Sequence, residues 1–334
     1  MKILIDYNCN ILYSSQYIYY LRNNFDISFK KSPYNSIKQK DNLFLFSVVK
    51  EDDLYNFVID FADSSRINEN AYIWCNVYGK INYNLTNGKY SDTSKLVIIP
   101  PSFGVKIWGK YNVLHRTLFH YLKFYPNSGF KNLLSNYITQ KNRLTLSEYR
   151  NQNSDNKYIF FTATLWNKQN HCYDETEMNN YRANFIRACK RIPDIKFEGG
   201  FAPNTEKGMY TDLFMDNRIT INEYVEKINR SACVFNTPAV FSCHGWKLGE
   251  YLALGKAIIS TPLKNELPKP LEHGINVHFV SGEESEMIDV IKRICLDNDY
   301  RRKLEKGAYQ YWRDYGHPKN AMNNLFERVN IYKH

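Results

Sequence analysis

Residues Cys243–Thr261 read CHGWKLGEYLALGKAIIST. A glutamate sits inside an otherwise apolar helical pattern, just behind a His-Gly-Trp-Lys turn. The strand before it closes on Asn236, Thr237 and Pro238, so the helix begins near Gly245 or Trp246. Unpaired N–H groups and the helix dipole make such a start attractive to an anion. Gly245 allows close backbone approach, and Lys247 adds a mobile positive charge. Glu250 lies four residues into the helix, roughly 6 Å along its axis. That offset suits two ribose hydroxyls beside a phosphate. The same position also suits an ordinary surface glutamate near a helix N-terminus.

Further polar groups are expected on the same ligand. Thr164 lies in the strand-like run YIFFTATLW and Lys168 in the loop after it, where on the residues alone it reads as a solvated lysine. Gly199 and Gly200 end another strand and provide either close backbone approach or a tight turn. Thr261 and Pro262 end the strand after the helix and are placed to line a base pocket. His244 contacts phosphate or sugar, or caps the turn. In the first half, Asp6 closes the first strand, and a carboxylate there could deprotonate a hydroxyl. His115 and His120 sit on one helical pattern, and His115 is the second candidate base. Asp297-Asn298-Asp299 spells a metal-binding D-x-D, but it falls between two helices, where capping accounts for it. No metal is expected.

These residues need strands that deliver them to one edge. The chain has 334 residues, enough for two domains. Its first half alternates apolar runs at Lys2–Asp6, Leu43–Val49, Tyr72–Val77 and Leu96–Ile99 with polar or helical segments. That alternation implies a mostly parallel sheet. The polar run RNQNSDNK, residues 150–157, reads as a linker. The second half repeats the grammar, with Gly255 where a helix C-terminus needs a left-handed residue. Met287, Val290, Ile291, Ile294 and Cys295 form one helical stripe, and Leu304, Ala308, Tyr311, Trp312 and Tyr315 another. The predicted domains are residues 1–150 and 157–315, with a last helix over 316–334.

Net charge is +10, with a pI near 9.0. That balance suits polyanionic partners such as phosphorylated ligands, an anionic membrane face or nucleic acid. Lys30, Lys31, Lys38 and Lys40 form the densest basic patch, read as a solvated loop. Seven cysteines without CxxC spacing look like reduced thiols. No run approaches the ~18 apolar residues of a membrane span. A cytoplasmic protein is expected, with at most peripheral contact at the inner membrane face.

The segment from Ser242 to Ile259 resembles the donor-binding half of GT-B glycosyltransferases, above all the large retaining family 4. That family carries E-G-F-G-x-x-x-x-E-A-M-A-x-G-x-P-V-I. Gly245, Glu250, Ala253, Gly255 and Ile258-Ile259 match, and Glu250 takes the place of the ribose-binding glutamate. Ser242 replaces the first glutamate, which leaves stereochemistry open and makes exostosin-like inverting enzymes a comparable relative. Bacterial capsule and surface-polysaccharide glycosyltransferases are also similar. The resemblance covers residues 157–318. It implies an α/β chain of the GT-B class, two Rossmann-like domains facing a central cleft, with the final helix crossing back to the first. It implies a nucleotide-diphospho-sugar donor, UDP favoured, bound by Ser242, His244, Gly245, Trp246, Lys247, Glu250, Thr164, Lys168, Gly199, Gly200 and Thr237. Asp6, His115 and His244 are the catalytic candidates. The implied acceptor is a glycan, plausibly lipid-linked; no cofactor and no nucleic acid are expected. A GT-B-shaped nucleotide-sugar epimerase and a non-catalytic basic binding module are the rival readings.

Overall fold

The computed structural model describes residues 1–86, 92–124, 129–152, 154–166, 176–203 and 210–331. The fold is mixed α/β, in two compact units. Unit 1 comprises Met1–Tyr149, Asn265–Pro268 and Tyr315–His334; unit 2 comprises Arg150–Lys264 and Lys269–Asp314. Among the described residues no helix is long and apolar enough to cross a membrane.

Unit 1 runs β1 (Lys2–Asp6), α1 (Ser15–Asn24), β2 (Asp26–Lys30), β3 (Leu43–Lys50), β4 (Asp53–Asp60), α2 (Glu69–Trp74), β5 (Val77–Lys80), β6 (Leu96–Ile98), α3 (Lys110–Phe124) and α4 (Gly129–Lys141). The sheet order is β2-β1-β3-β4-β5-β6. It is mostly parallel, as expected, with one reversed strand: β3 runs antiparallel to both β1 and β4. The cause is local. Glu51 takes a left-handed conformation (φ 56°) and folds β3 directly back onto β4 as a hairpin. The strand expected at Tyr72–Val77 is also corrected. Residues 69–74 are α2, started by the Asn68 side chain, which accepts from the Ala71 N–H at 3.0 Å. Ala71, Tyr72 and Cys75 are buried at helical spacing, so their β-prone types yield to tertiary packing.

The chain end completes this unit. In α10 (Pro318–Glu327), Ala321, Met322, Leu325 and Phe326 are buried in the unit 1 core. Phe326 meets Phe25, Phe46 and Phe57 edge-on, at centroid distances of 6.1, 6.3 and 5.3 Å.

Unit 2 runs β7 (Tyr158–Ala163), α5 (Thr176–Lys190), β8 (Lys196–Phe201), α6 (Ile221–Arg230), β9 (Val234–Asn236), α7 (Trp246–Ala253), β10 (Ile258–Ser260), β11 (His278–Phe279), α8 (Glu284–Leu296) and α9 (Asn298–Tyr311). β7 and β8 pair in parallel, and β11-β10-β9 form a parallel three-stranded sheet. Helix α7 ends in a Schellman turn. Gly255 is left-handed (φ 57°), its N–H bonds Leu252 O at 3.1 Å, and the Lys256 N–H bonds Tyr251 O at 3.0 Å. The first helical stripe near the C-terminus is buried as expected, and so is the second from Leu304 to Trp312, while Tyr315 is half-buried.

The polar run at 150–157 is docked onto unit 2. Asn151 donates to Gly255 O at 3.1 Å, and Ser154 donates to Glu305 at 2.7 Å. Lys256 is fully buried and donates to Ser154 Oγ at 2.7 Å and Asn229 O at 2.8 Å. Burial lowers its pKa to about 8, against a partial rise from Glu305. Between that value and the ordinary 10.5 the unfolded chain binds the extra proton, so stability rises with pH there. The same contribution is lost as pH falls through about 8. A Lys256→Met variant is expected to lack this slope, read as urea midpoints compared with wild type across that window. Parallel pH profiles would rule out a buried, depressed lysine.

Candidate functional site

In unit 2 the parallel strands β9 and β10 end at one edge, and α7 begins just beyond β9. Ligands in open α/β sheets bind at that kind of edge. The connection is tight. The Ala239 N–H bonds Cys243 O at 3.0 Å, and the Cys243 N–H bonds Val240 O at 3.1 Å. Between them Phe241 (φ 56°) and Ser242 (φ 60°) are both left-handed. Two such non-glycine residues in a row are costly and mark a shape the fold enforces. The turn delivers the chain to Gly245, the N-cap of α7, which places no side chain on the helix N–H groups. A Cβ built on Gly245 would meet nothing within 4 Å. Protein packing therefore does not require glycine there, and its bareness keeps the helix start open.

That start faces a cavity of about 330 Å³ lined by Thr164, Trp166, Arg182, Thr237 and Gly245–Lys247, among others. A second cavity of about 430 Å³ adjoins it through Thr237 and Ala239 and is lined by Tyr181, Ser242, Thr261, Pro262 and Lys264. Thr261 Oγ1 donates to Thr237 Oγ1 at 2.9 Å, fixing the wall between the two.

Two cations converge on the first cavity. Arg182, buried on α5, donates to Thr164 O at 2.8 Å. Lys247 donates to the Thr162 carbonyl, with its Nζ 5.3 Å from the Phe161 ring centroid. The residue is half-buried and lines the cavity. Burial lowers the Lys247 pKa to about 7; Arg182 pushes the same way and Glu250 opposes. Two like charges in a partly desolvated place disfavour each other, and an anion between them would relieve both.

Thr164, Gly245, Trp246 and Lys247 thus line the first cavity, Ser242 the second, and Thr237 both. Others fall elsewhere. Glu250, expected to grip a ribose, is only 4% exposed and lines neither cavity. Its charge opposes the fall that burial causes in the Lys247 pKa and adds to the rise that burial causes at Tyr224 and Tyr251. Leu248, Tyr251, Leu252 and Ala253 of the same helix are buried with it, and Tyr224 of α6 interacts with it. His244 is buried and lines neither cavity.

Gly199 and Gly200 lie within β8 at φ 122° and 147°. A Cβ on Gly199 would stand 1.9 Å from Phe161 O, and one on Gly200 2.2 Å from Leu213 O. Close approach is the reason for both glycines, but the approaching groups are protein backbone, not a ligand. Lys168 lies outside the described residues.

The unit 1 candidates have partners of their own. Asp6 is buried, 2.6 Å from Lys40 Nζ, and accepts from the Asn8 N–H at 3.1 Å. Burial raises its pKa while Lys40 pulls the other way. Lys40 is therefore not simply a solvated lysine; with Lys31 it also stands over the Tyr7 ring, at 5.8 and 5.7 Å. His115 is exposed on α3. His120, on the same helix, is buried against Tyr7 O at 2.6 Å, and burial lowers its pKa. Asp297 of the D-x-D caps α9, accepting from the Tyr300 N–H at 2.9 Å. No cluster of three or more metal-ligating side chains occurs among the described residues.

Arg182 is the residue that sequence reasoning missed. It lies three and four residues before Phe185 and Ile186 on the apolar face of α5. An arginine on a buried helical face needs a buried partner or an incoming anion, and that placement was its signal.

No family model matches this chain, and no curated protein matches it. Several solved structures do. The Anabaena HepE complex with UDP-glucose aligns with 78% of this chain at 13% identity and a TM-score of 0.44. The chain covers 65% of that protein, slightly less than two thirds of its length. A glycosyltransferase from Rickettsia africae aligns over 76% of this chain and 64% of its own at 10% identity, with a TM-score of 0.40. The C-terminal domain of LpcC, a glycosyl transferase group 1 family protein from Francisella tularensis, aligns over 47% of this chain and 83% of its own. Its identity is 15% and its TM-score 0.33. At these scores the reading of this chain rests on its own geometry.

Proposed function

We propose that the chain is a glycosyltransferase that moves a sugar from a nucleotide-diphospho-sugar, UDP favoured, to a glycan hydroxyl. A role in bacterial surface-polysaccharide synthesis suits that reading. The observation that supports it best is the meeting of Arg182, Lys247 and the bare α7 start in one cavity, beside a second cavity walled by Thr237 and Thr261. The diphosphate occupies the first cavity and the nucleoside the second. An acceptor hydroxyl attacks the anomeric carbon and gives up its proton to water, the bond from that carbon to the diphosphate oxygen breaks, and charge grows on the departing diphosphate. Preorganised donors at the place where charge develops lower the barrier most. Here they are the α7 amides, Lys247 and Arg182, which do the neutralising work without a metal ion. Glu250 acts behind them, holding up the proton affinity of Lys247.

A thermal-shift panel of UDP-, GDP- and dTDP-sugars tests this. One of them, at about a hundredfold over its Kd, is expected to add about 2.7 kcal/mol. That corresponds to roughly 5–10 °C for a domain of this size. Arg182→Gln should lose most of the shift. No shift with any sugar nucleotide, or full retention in Arg182→Gln, would reject the site.

A further inference from the structure

Helix α3 has two unlike faces. Val113, Thr117, His120 and Phe124 are buried. On the other side Leu114, Leu118 and Leu122 stand at i, i+4 and i+8, exposed by 61%, 47% and 56%. Phe119 beside them is 65% exposed, and Ile138 on the packed helix α4 is 40% exposed. Single exposed leucines are ordinary on protein surfaces. Four large apolar side chains on one arc of one helix mark a surface meant for contact.

Charge identifies the contact. All 34 acidic residues of the chain lie outside residues 93–147, which contain both α3 and α4. Arg116 and Lys123 follow the ridge on its polar side at the helical angle of about 100° per residue, and Lys131 is exposed on α4. Lys123 Nζ lies 5.3 Å from the Phe119 ring centroid, and the Arg116 guanidinium 5.0 Å from that of Trp108. An apolar ridge with cations along its polar side, their charged heads over aromatic rings, matches a helix that settles into a lipid interface.

We infer that the exposed face of α3 docks on an anionic bilayer. The ridge from Leu114 to Leu122, with Phe119, enters the acyl boundary, while Arg116, Lys123 and Lys131 meet lipid phosphates. A second copy on the same face would bring like charges together. A nucleic acid would leave the leucines in water. The inference does not rest on the transferase reading, because lipid binding is measured with no donor present.

The test is co-sedimentation of the full chain with vesicles of phosphatidylcholine alone, or of phosphatidylcholine and phosphatidylglycerol in equal parts. Two double variants are compared with wild type: Leu118→Ser with Phe119→Ser, and Arg116→Gln with Lys123→Gln. Wild type is expected to bind the anionic vesicles far better than the neutral ones, and to leave them at high salt. The charge variant should bind roughly 25-fold more weakly, from about a fivefold loss per cation. The ridge variant should lose roughly tenfold or more. Equal binding to both vesicle types, or unchanged binding by both variants, would overturn the inference. So would a solution dimer that the ridge variant dissociates, or capture by RNA in preference to vesicles.

Discussion

Gly199→Ala is expected to destabilise unit 2 severely. The glycine sits at φ 122° opposite Phe161 in the parallel β7–β8 pair, and an added Cβ would lie 1.9 Å from the Phe161 carbonyl oxygen. Neither the backbone angle nor the space tolerates a side chain. One strand has to leave the pair, and with it the packing of Phe161 on Phe185 and Phe235. The cost is at least about 3–4 kcal/mol, a large fraction of the ~5–15 kcal/mol that holds a domain. Gly245→Ala is the matching control. Its φ of −75° suits any residue, and its Cβ position is empty of protein. That variant should melt within about 0.5 kcal/mol of wild type yet bind the sugar nucleotide more weakly. Urea unfolding of both proteins reads the contrast directly. A Gly199→Ala protein with wild-type stability would contradict the strand pairing described here.

The affinity for the sugar nucleotide should fall steeply in mild alkali. Lys247 in the free protein has a pKa of about 7, and only its ammonium form attracts a diphosphate. Above that pKa the competent fraction drops about tenfold per pH unit, and apparent affinity drops with it until the higher pKa of the bound state takes over. Below it, affinity should level off. Lys247→Ala removes a partly desolvated charge partner and should weaken binding by roughly 100-fold, from ~3 kcal/mol. What binding remains should be flat with pH. Calorimetric titrations with one sugar nucleotide from about pH 6 to about pH 9 supply the measurement. PH-independent binding by wild type would remove Lys247 from the phosphate site.

Legibility in the sequence followed how local the signals were. Around α7 every cue sits within a few residues: the strand closing on Thr237 and Pro238, the bare Gly245, the left-handed Gly255. The helix and its bare start could therefore be read, and Gly245, Trp246 and Lys247 do line a cavity. Glu250 was harder. Position along a helix gives its distance from the start, but which way a carboxylate turns depends on Tyr224, a residue on another helix. Gly199 and Gly200 were legible as close-approach sites, but not what approaches, because Phe161 and Leu213 are far away in sequence. In unit 1 the β3–β4 hairpin was hidden by its own turn, Glu51-Asp52, which carries none of the usual glycine or asparagine signals. Arg182 stood in plain view on an apolar face and needed only to be asked for its partner.

Unit 1 takes its last core residues from α10, after the whole of unit 2 has passed. During synthesis the strands of unit 1 leave the ribosome before unit 2, yet Met322, Leu325 and Phe326, which seal them, follow only after it. Unit 2 needs nothing beyond Asp314 and can consolidate while its predecessor still waits with an open aromatic floor. Chains usually mature from the front; here unit 1 closes only after unit 2 has emerged, and holdase chaperones have the longer opportunity on the unit made earlier.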